Sequence, residues 1–331
     1  MGARIAGIGK ALPQRVLTNA DLEKMVDTSD EWIVDRTGIR ERHIAAPTES
    51  ASTLGAAAAA GALRSSGLDP GSIDLVVCAT ATPDNMFPAT AAIIQDAVGA
   101  RNAGAFDVNA ACTGFLYAYS TAAQYINAGT CKRVLVVGSE VFSRIVDWND
   151  RTTCVLFGDG AGAVVLEASD RGGPASVVLR SDGSLGNILY ARGPCGGRSP
   201  TAVDAESFCV VMDGREVFRI AVKSMEEAGR QAVHDAGLCL EDIAFVVPHQ
   251  ANARIIATVA KRLGLPDDRV ISNVAKYGNT SAASIPLALC EASEEGRLHP
   301  GDKLLFVAFG GGLVWGATII EWTGLGPSPH G

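Results

Sequence analysis

Three side chains in this sequence have the types and settings for covalent chemistry at a carbonyl group: Cys112, His249 and Asn279. Cys112 lies within AFDVNAACTGFLYAYSTAAQYINAG, residues 105–129. Ala105–Val108 reads as a strand end. After Thr113 the residues Phe115, Tyr119, Ala122 and Ile126 recur at three- and four-residue steps, a helical period. Gly129 closes the helix where a C-terminal glycine belongs. Cys112 therefore sits at a strand-to-helix junction, beside the unpaired N–H groups and positive pole of the helix. Such a setting favours the thiolate, the nucleophilic form. The competing reading is a buried cysteine packed as a small hydrophobe.

Of the five histidines, only His249 follows a buried-looking strand (AFVVP) at its C-terminal end. His43 is in a charged loop, His234 on a polar helix face, His299 after a helix and His330 in the tail. A packing histidine is the plain alternative to a catalytic one. Asn279, in YGNTSAAS, reads either as a helix N-cap or as a neutral N–H donor aimed at a developing oxyanion. The glycines of Phe309-Gly310-Gly311-Gly312 make a turn, and they also allow backbone amides to approach a substrate carbonyl. GDGAGA (158–163) is no phosphate loop: it lacks Lys-Ser/Thr and precedes a strand.

The elements that must position these groups fall into two similar series. ARIAGIG (3–9) opens with a strand, and short helices follow at Asn19–Val26 and Ser29–Thr37. A further helix spans 52–67, then a strand at Ile73–Ala79, a loop carrying the apolar tip Met86–Phe87, and a helix at Ala89–Val98. The Cys112 unit, a strand from Arg133 and a strand at 158–169 complete the first series. Ser169–Gly183 reads as a connection around the apolar run Val177–Leu179, and 192–206 as an aperiodic loop. The second series has a helix within Met212–Gly237, a strand at Ile243–Pro248, a helix at Ala251–Gly264, a strand at Val270–Val274, a helix at Thr280–Glu291, and strands at Lys303–Phe309 and Val314–Trp322. Asp74 pairs with Asp242 and Arg133 with Lys303, which puts Cys112 and Asn279 at equivalent junctions. The pattern predicts two βαβαβ-type halves with strand C-terminal ends converging on one site.

Composition narrows the function. In 331 residues, 47% are hydrophobic and 19% charged, enough for a large core or two domains. A net charge of −8 argues against non-specific nucleic-acid binding. The eight cysteines include no CxxC pair and no zinc spacing with histidine, as expected of a reduced, cytosolic chain. No apolar run approaches a membrane span, and the N-terminus has neither a long apolar signal core nor a myristoylation pattern. Arg254, Lys261 and Arg262 share one helical face, either a solvated stripe or a dock for an anionic partner.

Taken together, the chain resembles β-ketoacyl-acyl carrier protein synthase III, the condensing enzyme that initiates bacterial fatty-acid synthesis. The carriers are TSDEWIVDRTGIRERH (28–43), ATPDNMFPATA (81–91), DVNAACTGF (107–115), DRTTCVLFGDGAGA (150–163), VPHQANARI (247–255), GNTSAAS (278–284) and FGGGLVWG (309–316). The resemblance implies a thiolase-like α/β fold of five αβαβα layers, with halves 1–172 and 173–331. It implies Cys112 as nucleophile with His249 and Asn279 as partners, and the amides of Cys112 and Gly311 as oxyanion hole. It implies that Trp32 and Arg151 sandwich the CoA adenine, with Thr28, Arg36 and Asn252 as further CoA contacts. Phe142 lines the acyl pocket, and Phe87 enters it from the partner of a homodimer. Arg254, with Arg219, Lys261 and Arg262, meets an acidic acyl carrier protein. The reaction so implied needs no metal or redox cofactor, and takes place in the cytoplasm.

Three alternatives stand beside this reading. A biosynthetic thiolase would carry a second cysteine near the C-terminal glycine run, where this chain has VAFGGG. A relative that starts a polyketide or other specialised pathway would keep the same three residues with another primer or acceptor. A non-catalytic partner subunit would lack the nucleophile.

Overall fold

The computed structural model describes residues 2–193 and 208–326; most of the 192–206 loop, Cys195 and the tail with His330 lie outside the described residues. Two sheets organise the chain. The first contains β1 (Gly2–Ala11), β2 (Leu75–Ala79), β3 (Gly104–Val108), β4 (Arg133–Val141) and β5 (Asp159–Ser169), in the order β1-β5-β4-β2-β3. The second contains β6 (Gly173–Ser181), β7 (Ile243–Pro248), β8 (Lys303–Gly310) and β9 (Val314–Glu321), in the order β6-β9-β8-β7. In each sheet two antiparallel pairings lead to parallel ones: β1–β5–β4 then β4–β2–β3, and β6–β9–β8 then β8–β7. A parallel bridge from Val246 to Val270 stands where β3 stands in the first sheet. The halves thus repeat one topology.

Helices complete five layers. α1 (Asp30–Thr37) lies at the site end of the fold. α2 (Ala51–Ser66) and α3 (Thr90–Ala97) cover the outer face of the first sheet, burying Leu54, Ala58, Ala62 and Ile94 against Val76, Val137 and Val165. α4 (Gly114–Asn127) and α7 (Ser284–Glu294) fill the centre, where Phe115, Tyr119 and Ile285 meet residues of both sheets. α5 (Gly214–Asp235) and α6 (Ala253–Leu263) cover the second sheet through Met225, Val259 and Leu263. The central strands are covered on both faces, which is why LVVCA and RVLVVG read as continuous apolar runs.

Three segments differ from their sequence expectation. The charged loop assigned to His43 is a short strand, Glu41–Ile44, because Arg15–Thr18 supplies an antiparallel partner. Gly173–Ser181, read as a connection, is a full strand, because β9 supplies an antiparallel partner along its whole length. Val270–Val274, read as a strand, makes only the bridge at Val270 and then turns helical at Val274–Tyr277. The Gln250 side chain takes over the ladder's role there, donating to Ile271 O at 3.3 Å and accepting from Asn273 N at 3.0 Å. The chain is thereby drawn out of the sheet.

At the centre the halves touch through two short turns, Ala111–Thr113 and Ser281–Ala283. Both begin with a non-glycine residue at positive φ, Ala111 at 45° and Ser281 at 48°. Each runs straight into its central helix. Residue by residue, Ala111 matches Ser281 and Cys112 matches Ala282, so Asn279 is the counterpart of Asn109 rather than of Cys112. A Cβ on Gly138 of β4 would lie 2.4 Å from Ala282 O, a backbone atom with no room to retreat. Gly138→Ala should therefore destabilise the fold by about 1–3 kcal/mol, read as a lower midpoint in urea unfolding.

Candidate active site

The Cys112 turn is held from both halves. Thr113 Oγ1 donates to Val314 O at 3.1 Å, and the side-chain oxygen of Asn109 accepts from Ala111 N at 3.3 Å. Gly310 lies against the turn so tightly that a Cβ there would stand 2.7 Å from Cys112 N. The glycine run is thus required for contact with the cysteine backbone, and it brings Gly311 to the wall of the same cavity.

That cavity, about 910 Å³, is lined by the buried residues Cys112, His249, Asn279 and Phe142 and by the half-buried Gly311. Trp32, Arg36, Asn252 and Arg254 line it on the more exposed side. Three elements deliver the central trio: the turn before α4, the end of β7, and the turn before α7. Phe142 stacks on Phe157, ring centroids 4.8 Å apart, and makes an aromatic wall.

The floor is lined by buried side chains, and its electrostatics follow from that burial. Burial pushes the Cys112 thiol up to about 12, opposed by the nearby Ser281 hydroxyl. The thiolate expected from the helix terminus is therefore not the resting form: loss of water outweighs the terminal dipole. Burial likewise lowers His249 to about 3, so its ring is neutral. His249 Nδ1 lies 2.7 Å from Ser284 Oγ, and its backbone N–H donates to Val307 O. When Nδ1 accepts from Ser284, the tautomer carries its proton on Nε2. Asn279 accepts from Ser281 N at 2.9 Å through Oδ1, which leaves its amide N–H groups for the cavity. The residue is no cap of α7.

The remaining sequence candidates separate. Arg151 does not line the cavity; its guanidinium lies 5.3 Å from the centre of the Trp32 ring and donates to Asp27 O. A base between the two needs about 7 Å, twice the van der Waals contact distance. In this conformation Arg151 stacks on Trp32 directly, with Arg36 also near that ring at 5.7 Å. Thr28 is outside the cavity lining, its hydroxyl buried and without a hydrogen-bond partner among the described residues. Asn252 caps α6 by accepting from Ile255 N at 2.8 Å. Phe87 is 84% exposed at the loop tip, away from this chain's cavity. Arg254 stands over the Phe218 ring at 5.9 Å. Arg219 pairs with Glu216 and Arg262 with Glu226, while Lys261 is exposed and has no ion-pair partner among the described residues. Exposed pairs of this kind contribute at most about 1 kcal/mol and exchange partners readily.

Three supports escaped the sequence reading. Ser281 and Ser284, three apart in GNTSAAS, face Cys112 and His249 respectively. Their signal was two hydroxyls within one turn. Arg42 is fully buried, donating to Leu17 O, Asn19 Oδ1 and Val155 O. It anchors the 153–158 segment, from which Leu156 O accepts from Asn279 N while Gly158 N donates to Asn279 O. Glu140, fully buried at the end of β4, announced itself as a carboxylate inside an apolar strand.

Comparison with known proteins agrees with this architecture. A family model described as 3-oxoacyl-[acyl-carrier-protein (ACP)] synthase III matches residues 106–183, and the model of its C-terminal part matches 233–322. The β-ketoacyl-[acyl-carrier-protein] synthase III of Roseiflexus sp. (strain RS-1) is 52% identical over 324 residues, 97% of this chain and 98% of that protein. The crystal structure of 3-oxoacyl-[acyl-carrier-protein] synthase III from Aquifex aeolicus VF5 superposes with a TM-score of 0.91 at 48% identity, covering 97% of this chain and all of the other. The priming β-ketosynthase of the R1128 polyketide pathway gives a TM-score of 0.92 at 40% identity, with 97% and 96% coverage. On this ground the chain belongs to the β-ketoacyl-[acyl-carrier-protein] synthase III family, with the thiolase-like fold.

Proposed function

We propose that this protein condenses a short acyl-CoA primer with malonyl-acyl carrier protein, giving 3-oxoacyl-acyl carrier protein, CoA and CO2, and so initiates fatty-acid synthesis. The observation that carries the reading is the meeting of Cys112, His249, Asn279 and Gly311 in one buried cavity with a basic, aromatic margin. A polyketide starter role is less favoured, since identity to the Roseiflexus synthase III exceeds that to the R1128 ketosynthase.

In the first half-reaction the Cys112 sulfur attacks the primer thioester. The amides of Cys112 and Gly311 stabilise the tetrahedral oxyanion, and CoA leaves. In the second, malonyl-carrier protein enters and loses CO2. The enolate oxygen takes hydrogen bonds from His249 Nε2–H and the Asn279 amide, both neutral donors. A neutral imidazole suits this role, because it offers its proton as a hydrogen bond without having to be ionised in a buried site. The enolate carbon then attacks the acyl-Cys112 carbonyl, and the departing thiolate takes up from solvent the one proton that the overall condensation consumes, restoring the resting thiol. No resident metal or redox group enters this scheme. The acyl chain extends toward Phe142, which bears on primer size.

The wider assignments follow the same reading. Thr28, Trp32, Arg36, Arg151 and Asn252 bind CoA, with Arg151 swinging off Trp32 to admit the adenine. Arg254, supported by Arg219, Lys261 and Arg262, receives the acidic carrier protein. Phe87 packs into a second copy's acyl pocket in a homodimer, which would cover an otherwise exposed apolar tip. Residues 1–172 and 173–331 form the two halves, and the enzyme works in the cytoplasm. Among the described residues no helix is long and apolar enough to cross a membrane.

Intact-protein mass spectrometry after incubation with a panel of acyl-CoAs should show one acyl adduct, absent from Cys112→Ala; an adduct on both proteins would overturn the nucleophile. Arg254→Glu should raise the KM for malonyl-carrier protein about tenfold with little change for acyl-CoA, and an equal rise for both substrates would remove the docking role. Ser284→Ala, which frees Nδ1 of His249, should slow decarboxylation of malonyl-carrier protein at least tenfold and slow acylation far less, as separated by single-turnover assays.

A further inference from the structure

The second half-reaction sets a demand on geometry. His249 Nε2–H and the Asn279 amide must point at one enolate oxygen, although they arrive on separate elements. Such donors are effective only when their mutual positions are fixed before charge develops. The first half of the chain places its own turn, from Asn109 onward, with backbone pairing. There β2 and β3 pair through to Ala79 and Val108, and Thr80 N continues the ladder to Val108 O at 3.2 Å.

In the second half that ladder stops. β7 is the edge strand of its sheet; beyond the bridge at Val270, Ile271 N donates to Val246 O at 2.9 Å, and the segment then leaves the sheet. The strand pairings put Gln250 where the first half has Thr80. Cys78 pairs with Val137 and Pro248 with Val307, at the same step along β4 and β8, and Thr80 and Gln250 each lie two residues further on. Here a side chain supplies what the backbone does not. Gln250 Nε2 donates to Pro248 O at 2.7 Å and to Ile271 O at 3.3 Å, while Oε1 accepts from Ser272 Oγ at 3.1 Å and from Asn273 N at 3.0 Å. The amide is buried and all four of its hydrogen-bonding places are filled. Exchanging its nitrogen and oxygen would set oxygen against two carbonyls, so its orientation is settled. A buried network satisfied to this degree rigidifies what it joins.

What it joins are the two enolate donors. The bond to Pro248 O spans His249, whose own N–H donates to Val307 O at 2.8 Å. The bond from Asn273 N grips the start of the helical turn Val274–Tyr277, where Asn273 O accepts from Lys276 N and Val274 O from Gly278 N. Asn279 follows directly. Gln250 itself does not line the cavity. We propose that Gln250 is a positioning residue for the decarboxylating half-reaction, locking His249 and Asn279 into one donor pair, and that acylation of Cys112 does not depend on it. The Cys112 turn is held elsewhere, by Val314 O and the close approach of Gly310.

The inference rests on His249 and Asn279 acting as the enolate donors, and the experiment keeps the two apart. Two single-turnover rates are measured for wild type, His249→Ala, Asn279→Ala, Gln250→Met and Ser272→Ala. One is acyl transfer to Cys112 from the acyl-CoA selected in the adduct panel, followed by intact mass; the other is release of CO2 from malonyl-carrier protein. Methionine keeps the reach of glutamine but offers neither its N–H donors nor its carbonyl. Gln250→Met should lower decarboxylation about 30-fold or more, since a misplacement of about 1 Å can cost about 100-fold. Its acylation rate and its KM for malonyl-carrier protein should stay within about twofold of wild type, and normal acylation shows that the variant is folded. Ser272→Ala, which removes one of the four bonds at an exposed residue, should lower decarboxylation about threefold and carries the test if Gln250→Met does not fold. A parallel fall of both rates in a soluble variant, or unchanged decarboxylation, would overturn the positioning role and leave His249 and Asn279 in theirs. Wild-type decarboxylation by both His249→Ala and Asn279→Ala would overturn the underlying reading and the inference with it.

Discussion

The structure depends on how closely two backbone turns can approach at the centre of the molecule. Ala111–Thr113 and Ser281–Ala283 come from different sheets, and each opens its own central helix. They meet only because the positions between them have no side chain to spare. Gly138 passes under Ala282 O, Gly310 passes over Cys112 N, and a Cβ on Gly114 would stand 3.3 Å from the Ala282 Cβ. An interior packed to this density transmits small displacements directly. Cys112 and Asn279 therefore keep a fixed relation although 166 residues separate them in the chain.

Close approach has an electrostatic consequence. The floor of the cavity is buried, so each ionisable group there is moved toward its neutral form: the thiol and Glu140 upward, His249 downward. A stable thiolate–imidazolium pair does not fit these shifts. What the site offers instead is a set of neutral donors held by hydrogen bonds, and in a buried site such donors act strongly on charge as it develops. The exposed margin behaves differently. Its arginines stack on Trp32 and Phe218 or share carboxylates with neighbours, arrangements that are weak and easily exchanged. Rigidity inside and adjustability outside suit a site that must receive two different large substrates in turn.

One turn serves three residues. Asn279 is oriented by Ser281 N, Ser281 reaches toward Cys112, and Ser284 holds His249. GNTSAAS is therefore more than the start of a helix. Its backbone conformation and its Ser284 hydroxyl bear on the chemistry of residues contributed by other elements.

The sequence alone determined the periodic elements and most of their boundaries, because helical and strand periods are local properties of side-chain order. It located Cys112 at a strand-to-helix junction and singled out His249 by elimination, and its motifs pointed to the family. It missed β6, whose partner lies more than 130 residues away, and it extended Val270 into a strand that Gln250 interrupts. The protonation states were beyond it altogether. A helix terminus suggested a thiolate, whereas burial by the opposite half decides for the thiol. Desolvation depends on everything that surrounds a group in three dimensions, and spacing along the chain carries no record of it. For the same reason Ser281, Ser284 and Glu140, each of which left a trace in the sequence, and Arg42, which left none, acquired a place relative to the site only once the two halves were packed together.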